Sequence, residues 1–194
     1  MEPRSILRTI IAALVGIGII VLFIVLMVKI FSHNGSSSQS TSIDLGNYNS
    51  NNATVTLLID GPTNVDQDHR QVKITVGNIQ NQIDVIQGYQ GNVINTQSYS
   101  SNDSAFAAFL QSLQVLNFTK GNTKSTVDYR GYCPTGERYV YTFNDGQKDL
   151  FTYWSTSCNQ GTFGATNPRQ VRQLFIHQIP TVDFGKMTMG IPLG

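Results

Sequence analysis

The hydrophobic pattern changes character twice along the chain. Residues 10–28 are apolar apart from Gly16 and Gly18, and no charge falls between Thr9 and Val28. As a helix this run spans roughly 28 Å, one hydrocarbon core. Arg4 and Arg8 precede it and Lys29 follows it. The basic excess on the short side predicts a cytoplasmic N-terminus at 1–8 and a transmembrane signal anchor at 9–31. Lys29 can snorkel to the far interface. The rival is a cleaved signal peptide, whose apolar run is normally about 7–15 residues and ends at a small-x-small site. Ile30-Phe31-Ser32-His33 offers no such site, and no lipobox cysteine follows. Ala12 and Gly16 form a small-xxx-small pair suited to helix packing in lipid. Chance small residues explain the pair without any such packing.

Residues 32–52 then lose almost all apolar character and fill with Ser, Asn and Gly. Such a segment cannot bury enough surface to order itself, so it reads as a disordered linker. Its reach is roughly 25 Å, enough to lift a domain off the lipid. It also argues against a pilin, whose N-terminal helix would run on into the head.

From Ala53 the period becomes two. Residues 55–59 are β-rich and stop at Asp60-Gly61-Pro62; in 71–76, Val72, Ile74 and Val76 alternate with Lys73 and Thr75. Residues 83–86 and 93–100 continue the pattern across Gly-containing turns, which predicts an antiparallel meander. The period then becomes helical: Phe106, Phe109, Leu110, Leu113 and Leu116 form one stripe after a capping Asn102 or Asp103. Residues 138–143 and 150–155 flank Asn144-Asp145-Gly146, a hairpin signal. Both faces of that hairpin are bulky, which predicts a central or doubly covered position. A second helix starts at Asn167-Pro168, buries Val171, Leu174 and Phe175, and ends before Pro180. The reading is an α+β domain over 53–184, an antiparallel sheet of about six strands with two packed helices (ββββαββα) behind one transmembrane helix, and a flexible tail at 185–194.

Composition narrows the function classes. Only 13% of residues are Asp, Glu, Lys or Arg and the net charge is +1, which excludes a strongly basic nucleic-acid binder. Two cysteines cannot form a four-ligand zinc cage. Cys133 and Cys158 lie in the exported part and bracket the predicted hairpin, whose ends meet in space, so they read as a disulfide. A catalytic thiol or redox pair does not fit: a paired sulfur is no nucleophile, and no Cys-x-x-Cys occurs.

Candidate chemistry is sparse. No Gly-x-Ser-x-Gly occurs, no Ser-x-x-Lys lies in the domain, and no phosphate-cradling glycine loop is present. No cofactor is expected. Residues 60–70 carry Asn64, Asp66 and Asp68, oxygen donors for a hard cation, but without the EF-hand glycine or terminal Glu. A solvated interstrand loop explains them better, and no metal is expected. His69 titrates near neutrality and could serve as acid or base; His177 sits on the last helix. Glu137 is the domain's one glutamate, and with Asp128 or His69 it could perform acid–base hydrolysis of a sugar. Cross-strand pairing with Arg138 and Arg130 explains the same charges. Tyr129, Tyr132, Tyr139, Tyr141, Tyr153 and Trp154 cluster, and rings with a polar tip suit a wet protein or glycan contact face. Asn34, Asn52, Asn102 and Asn117 match Asn-x-Ser/Thr, which matters only in a eukaryotic secretory setting.

The stretch from Asp128-Tyr129-Arg130-Gly131-Tyr132-Cys133-Pro134 through Gly136-Glu137-Arg138 to Tyr141 is distinctive. So are Trp154-Ser155-Thr156-Ser157-Cys158, Gly161-Thr162-Phe163-Gly164 and Leu174-Phe175 with Gln178-Ile179-Pro180. Together with the anchor, they resemble uncharacterised single-pass envelope proteins of Saccharibacteria and related candidate-phyla bacteria. The resemblance implies a surface protein of a small epibiotic cell and carries no activity or functional residue. The expected function is a non-catalytic binding module of the cell envelope. It would sit in the cell membrane through 9–31 with its C-terminal domain outside, contacting an envelope or host-surface protein or glycan. The alternatives are an extracytoplasmic hydrolase or carbohydrate-active domain using Glu137, and a structural spacer.

Overall fold

A computed structural model describes residues 43–48, 52–122 and 128–191 of the chain. The predicted anchor at 9–31 and most of the predicted linker lie outside the described residues. Among the described residues no helix is long and apolar enough to cross a membrane.

Six antiparallel strands pair as the alternation requires: β1 (Thr54–Asp60), β2 (Arg70–Gly77), β3 (Gln80–Gln87), β4 (Asn92–Ser100), β5 (Arg138–Asn144) and β6 (Asp149–Thr156). Their spatial order is β4-β3-β2-β1-β5-β6. The 61–69 loop and two short turns hold β1 to β4 as a meander, and the chain then returns over the sheet to set β5 beside β1. Register lines up the apolar positions. Ile83 faces Ile74, Ile74 faces Leu57, Leu57 faces Tyr141 and Tyr141 faces Tyr153. All five are buried. A slip of one residue would turn that row out to solvent, so burial specifies the register.

The return path is α1 (Asp103–Val115). Asn102 caps it, its side-chain oxygen accepting from the Ala105 N–H at 2.9 Å, and Phe106, Phe109, Leu110 and Leu113 are buried. α2 (Pro168–Ile176) is capped by Asn167, which accepts from the Gln170 N–H at 3.1 Å, and buries Val171 and Phe175. Phe118 joins these parts, edge-on to Tyr141 and Phe163 and tilted against Phe175.

Three boundaries differ from expectation. Residues 43–48, read as linker, contain a 3-10 turn at Leu45–Tyr48. Leu45 is fully buried, its N–H donates to Gln114 Oε1 at 3.2 Å, and Tyr48 meets Phe143 edge-on. One leucine and one tyrosine suffice to dock a segment whose composition is otherwise that of a linker. Pro180 does not merely end a helix but opens a third, α3 (Thr181–Met187). That helix runs on from Phe184 into the predicted flexible tail, where Met187 and Ile191 pack against the core. Finally, β5 is interior as expected, but β6 is an edge strand. Its outer side is covered at Trp154–Thr156 by residues 160–163: the Trp154 carbonyl accepts from the N–H groups of Thr162 at 2.8 Å and Phe163 at 3.0 Å. Gly161 permits this approach, since a Cβ there would lie 2.2 Å from the Trp154 oxygen.

Cys133 and Cys158 form the predicted disulfide, with Cα atoms 5.8 Å apart and a sequence separation of 25. Replacing both by Ser is expected to lower unfolding free energy by roughly 3 kcal/mol. Urea unfolding of the full-length chain measures this, and a loss under about 1 kcal/mol would mean that the hairpin holds its ends without the bridge.

Candidate functional site

β1, β2 and β5 end together at one point. Register places Arg138 and Gln71 on either side of Asp60. Asp60 Oδ2 accepts from Arg138 Nε at 2.8 Å. Its Oδ1 accepts from Gln71 Nε2 at 2.9 Å and lies 2.8 Å from His69 Nε2. Asp60, His69 and Arg138 are each no more than 2% exposed. Arg138 also donates to Thr63 Oγ1 at 2.9 Å and to the Gly61 carbonyl. His69 stacks on Tyr89 with ring centroids 4.0 Å apart. The Tyr89 hydroxyl donates to the Asn64 carbonyl at 2.8 Å, and its N–H donates to Asp66 Oδ1 at 2.7 Å. The two ends of the 60–70 loop are anchored by this buried ion network, while residues 63–68, with Asn64, Asp66 and Asp68, are solvent-exposed as a solvated loop would be. Among the described residues no cluster of His, Cys, Asp and Glu could hold a metal.

Because Arg138 points into that network, strand alternation sends Glu137 and Tyr139 the other way. They border a half-open cleft of about 1020 Å³ between the disulfide loop, β6 and the start of α2. Glu137 is 4% exposed and accepts a hydrogen bond from the Tyr139 hydroxyl. Burial, and then that carboxylate, hold the Tyr139 hydroxyl far above the ordinary tyrosine range. The Arg172 guanidinium sits 4.2 Å from the centre of the Tyr139 ring. The Glu137 N–H donates to Ser157 Oγ at 3.0 Å, which joins the strand to the disulfide loop. Ser, Thr, Asn and Gln residues and Arg169 line the wall together with Phe163, Pro62 and Pro168. This arrangement offers one carboxylate acceptor, planar guanidinium donors and neutral polar groups inside a concave site.

The sequence-predicted residues are dispersed. Glu137 lines the cleft; Asp128 and His69 do not. Asp128 is exposed and paired with Arg130, whose hydrogen bonds pull its carboxyl down to about 2. His69 is held by Asp60. Of the six aromatics, Tyr139, Tyr141, Tyr153 and Trp154 are buried. Tyr139, Tyr141 and Tyr153 join the core beneath the helices, whereas Trp154 lies on the opposite sheet face under Tyr132, with centroids 4.8 Å apart. Tyr129 and Tyr132 are half-buried. No continuous exposed ring surface forms from the six. Arg169 and Arg172 went unnoticed in the sequence. Their spacing of three puts them on one helix side, a visible signal in a chain with so few charges.

No protein-family model, curated protein or solved structure matches the chain.

Removing one member of a buried ion network leaves the others unpaired, so Asp60→Ala is expected to destabilise the fold by about 3–5 kcal/mol. Urea unfolding measures it; a change under about 1 kcal/mol would show that the network is dispensable. Alkali supplies a second test. Unfolded tyrosines ionise near the ordinary value of 10.0, whereas burial pushes the Tyr141 hydroxyl up to about 12 and raises Tyr139 further. Their contribution is fully present below pH 10 and falls as pH rises from 10 toward 12. The urea midpoint should drop over that window, and Tyr141→Phe should flatten the drop. An identical slope in that variant would assign it to other groups.

Proposed function

We propose that the chain is a non-catalytic binding module held outside the membrane by residues 9–31, and that the Glu137 cleft takes a hydroxyl-rich ligand, a glycan of the cell envelope or of a host surface. The observation that carries this reading is the cleft wall: Glu137, held by the Tyr139 hydroxyl, faces the same hollow as Arg172 among neutral polar side chains. Carboxylates and guanidinium groups make the stronger, charge-assisted hydrogen bonds to neutral hydroxyls, and a hollow of this size suits a short oligosaccharide. The hydrolase alternative draws less support. Its mechanism needs two carboxylates flanking the bond, and the wall contains one, with no histidine. A flat aromatic protein-contact face also loses support, because four of the six rings are buried. The resemblance to envelope proteins is consistent with a surface polymer as ligand.

The test is a glycan array probed with the full-length chain, followed by calorimetry on any hit. Glu137→Gln and Arg172→Ala should each weaken binding roughly tenfold or more with the melting temperature held, and no sugar should be released. No captured glycan, or binding indifferent to both changes, would sink the proposal. Release of sugar abolished by Glu137→Gln would make the domain an enzyme.

A further inference from the structure

The two edges of the sheet are treated differently. The β6 edge is covered at one end, Trp154–Thr156, by the chain's own residues 160–163. β4 is the last strand on the other side, and among the described residues nothing pairs with its outer edge. Eight of its nine residues are exposed, and the strand, NVINTQSYS, contains no charge and no proline. Lys, Pro, inward charges and bulges are the usual devices that stop an open edge from recruiting another strand, and of these β4 shows only a register shift near its start, opposite Val85 and Ile86. Apolar groups also collect here. Of the eight exposed large hydrophobics among the described residues, Val93 and Ile94 lie on β4, and Tyr89 and Ile79 lie in the turns at its two ends. The Ser101 N–H donates to the Ile79 carbonyl at 2.8 Å, which fixes Ile79 at the far end.

We propose that β4 is a self-pairing edge, through which two copies of this chain join their sheets by antiparallel strand addition about a two-fold axis. The β3–β4 register is regular from Asn95 to Ser100, and its one shift lies beyond Asn95. That regular half is the part able to accept a partner strand. Centring the axis on Gln97 sets Gln97 against itself, Thr96 against Ser98 and Asn95 against Tyr99. Gln97 meets Gln97 amide to amide, Thr96 meets Ser98 hydroxyl to hydroxyl, Asn95 meets Tyr99 amide to hydroxyl, and no like charges oppose one another. The same axis brings Val93 and Ile94 of one copy to the end of the partner strand where Ile79 sits, so apolar groups close both ends of the seam. An isologous contact needs a self-complementary patch, and an uncharged strand of amides and hydroxyls is one. A foreign strand would be selected by charge or side-chain pockets, and this edge supplies no charge. A single strand pair falls short of the roughly 800 Å² per partner of a standard stable interface. Pairing is therefore concentration-dependent, and copies tethered to one membrane meet at high effective concentration.

Residues facing each other across an antiparallel pair have Cα atoms within disulfide range. In the full-length chain, Gln97→Cys should give a covalent dimer under mild oxidation, roughly tenfold more than Thr152→Cys on the opposite edge. Gln97→Lys sets like charges against each other across the axis, and it should abolish dimer seen by sedimentation while leaving the melting temperature unchanged. If the new cysteine mispairs with Cys133 or Cys158, the lysine variant decides alone. A chain monomeric at every concentration, equal cross-linking at Thr152, or a dimer indifferent to Gln97→Lys would overturn the proposal.

Discussion

A carboxylate taken out of water must be compensated, and Asp60 draws its partners from three different parts of the chain. Arg138 reaches it from β5, Gln71 from β2 and His69 from the loop between β1 and β2. Replacing the whole set by apolar groups could be neutral, but losing one member strands the rest. The network therefore specifies one arrangement more than it adds net stability. It settles where the three strand ends meet and how the 61–69 loop folds. It also fixes the rotation of β5 at its first residue, and so decides that Glu137 and Tyr139 face the cleft.

The cleft and the open edge lie at opposite ends of one sheet. The cleft is walled by β5, β6 and the start of α2, beyond the covered edge; β4 is the far strand. Joining two copies through β4 would extend the sheet and leave both clefts at its outer ends, free to bind. In that arrangement the two proposals reinforce each other: two weak sites on one rigid sheet bind a repeating polymer more tightly than either alone. Each nonetheless stands on separate residues.

Much of the fold was legible because local rules and burial agree. Period-two runs became strands within a few residues, Asn102 and Asn167 became caps, and the hairpin brought Cys133 to Cys158. Misreadings came where a few side chains overrode composition. Leu45 and Tyr48 dock a segment that reads as linker, and Met187 and Ile191 do the same for one that reads as tail. Pro180 reads as a stop and also serves as a start, because a proline at a helix N-terminus lacks only an N–H that would be unpaired there.

The candidate site was legible only in fragments. Glu137, His69, Asp128 and the six aromatics were visible as residue types, but their roles follow from partners distant in sequence. His69 is tied to Asp60, Asp128 to Arg130, and the tyrosines to the face on which they land. By itself the sequence determined the strands, the caps, the disulfide's plausibility and the absence of familiar catalytic motifs, since these depend on neighbours a few residues apart. Only tertiary structure decided which charges are buried, that Arg172 lies over Tyr139 beside Glu137, and which sheet edge stays open. Those outcomes depend on strand order and register, which arise from burying the whole set of apolar positions at once rather than from any short stretch of chain.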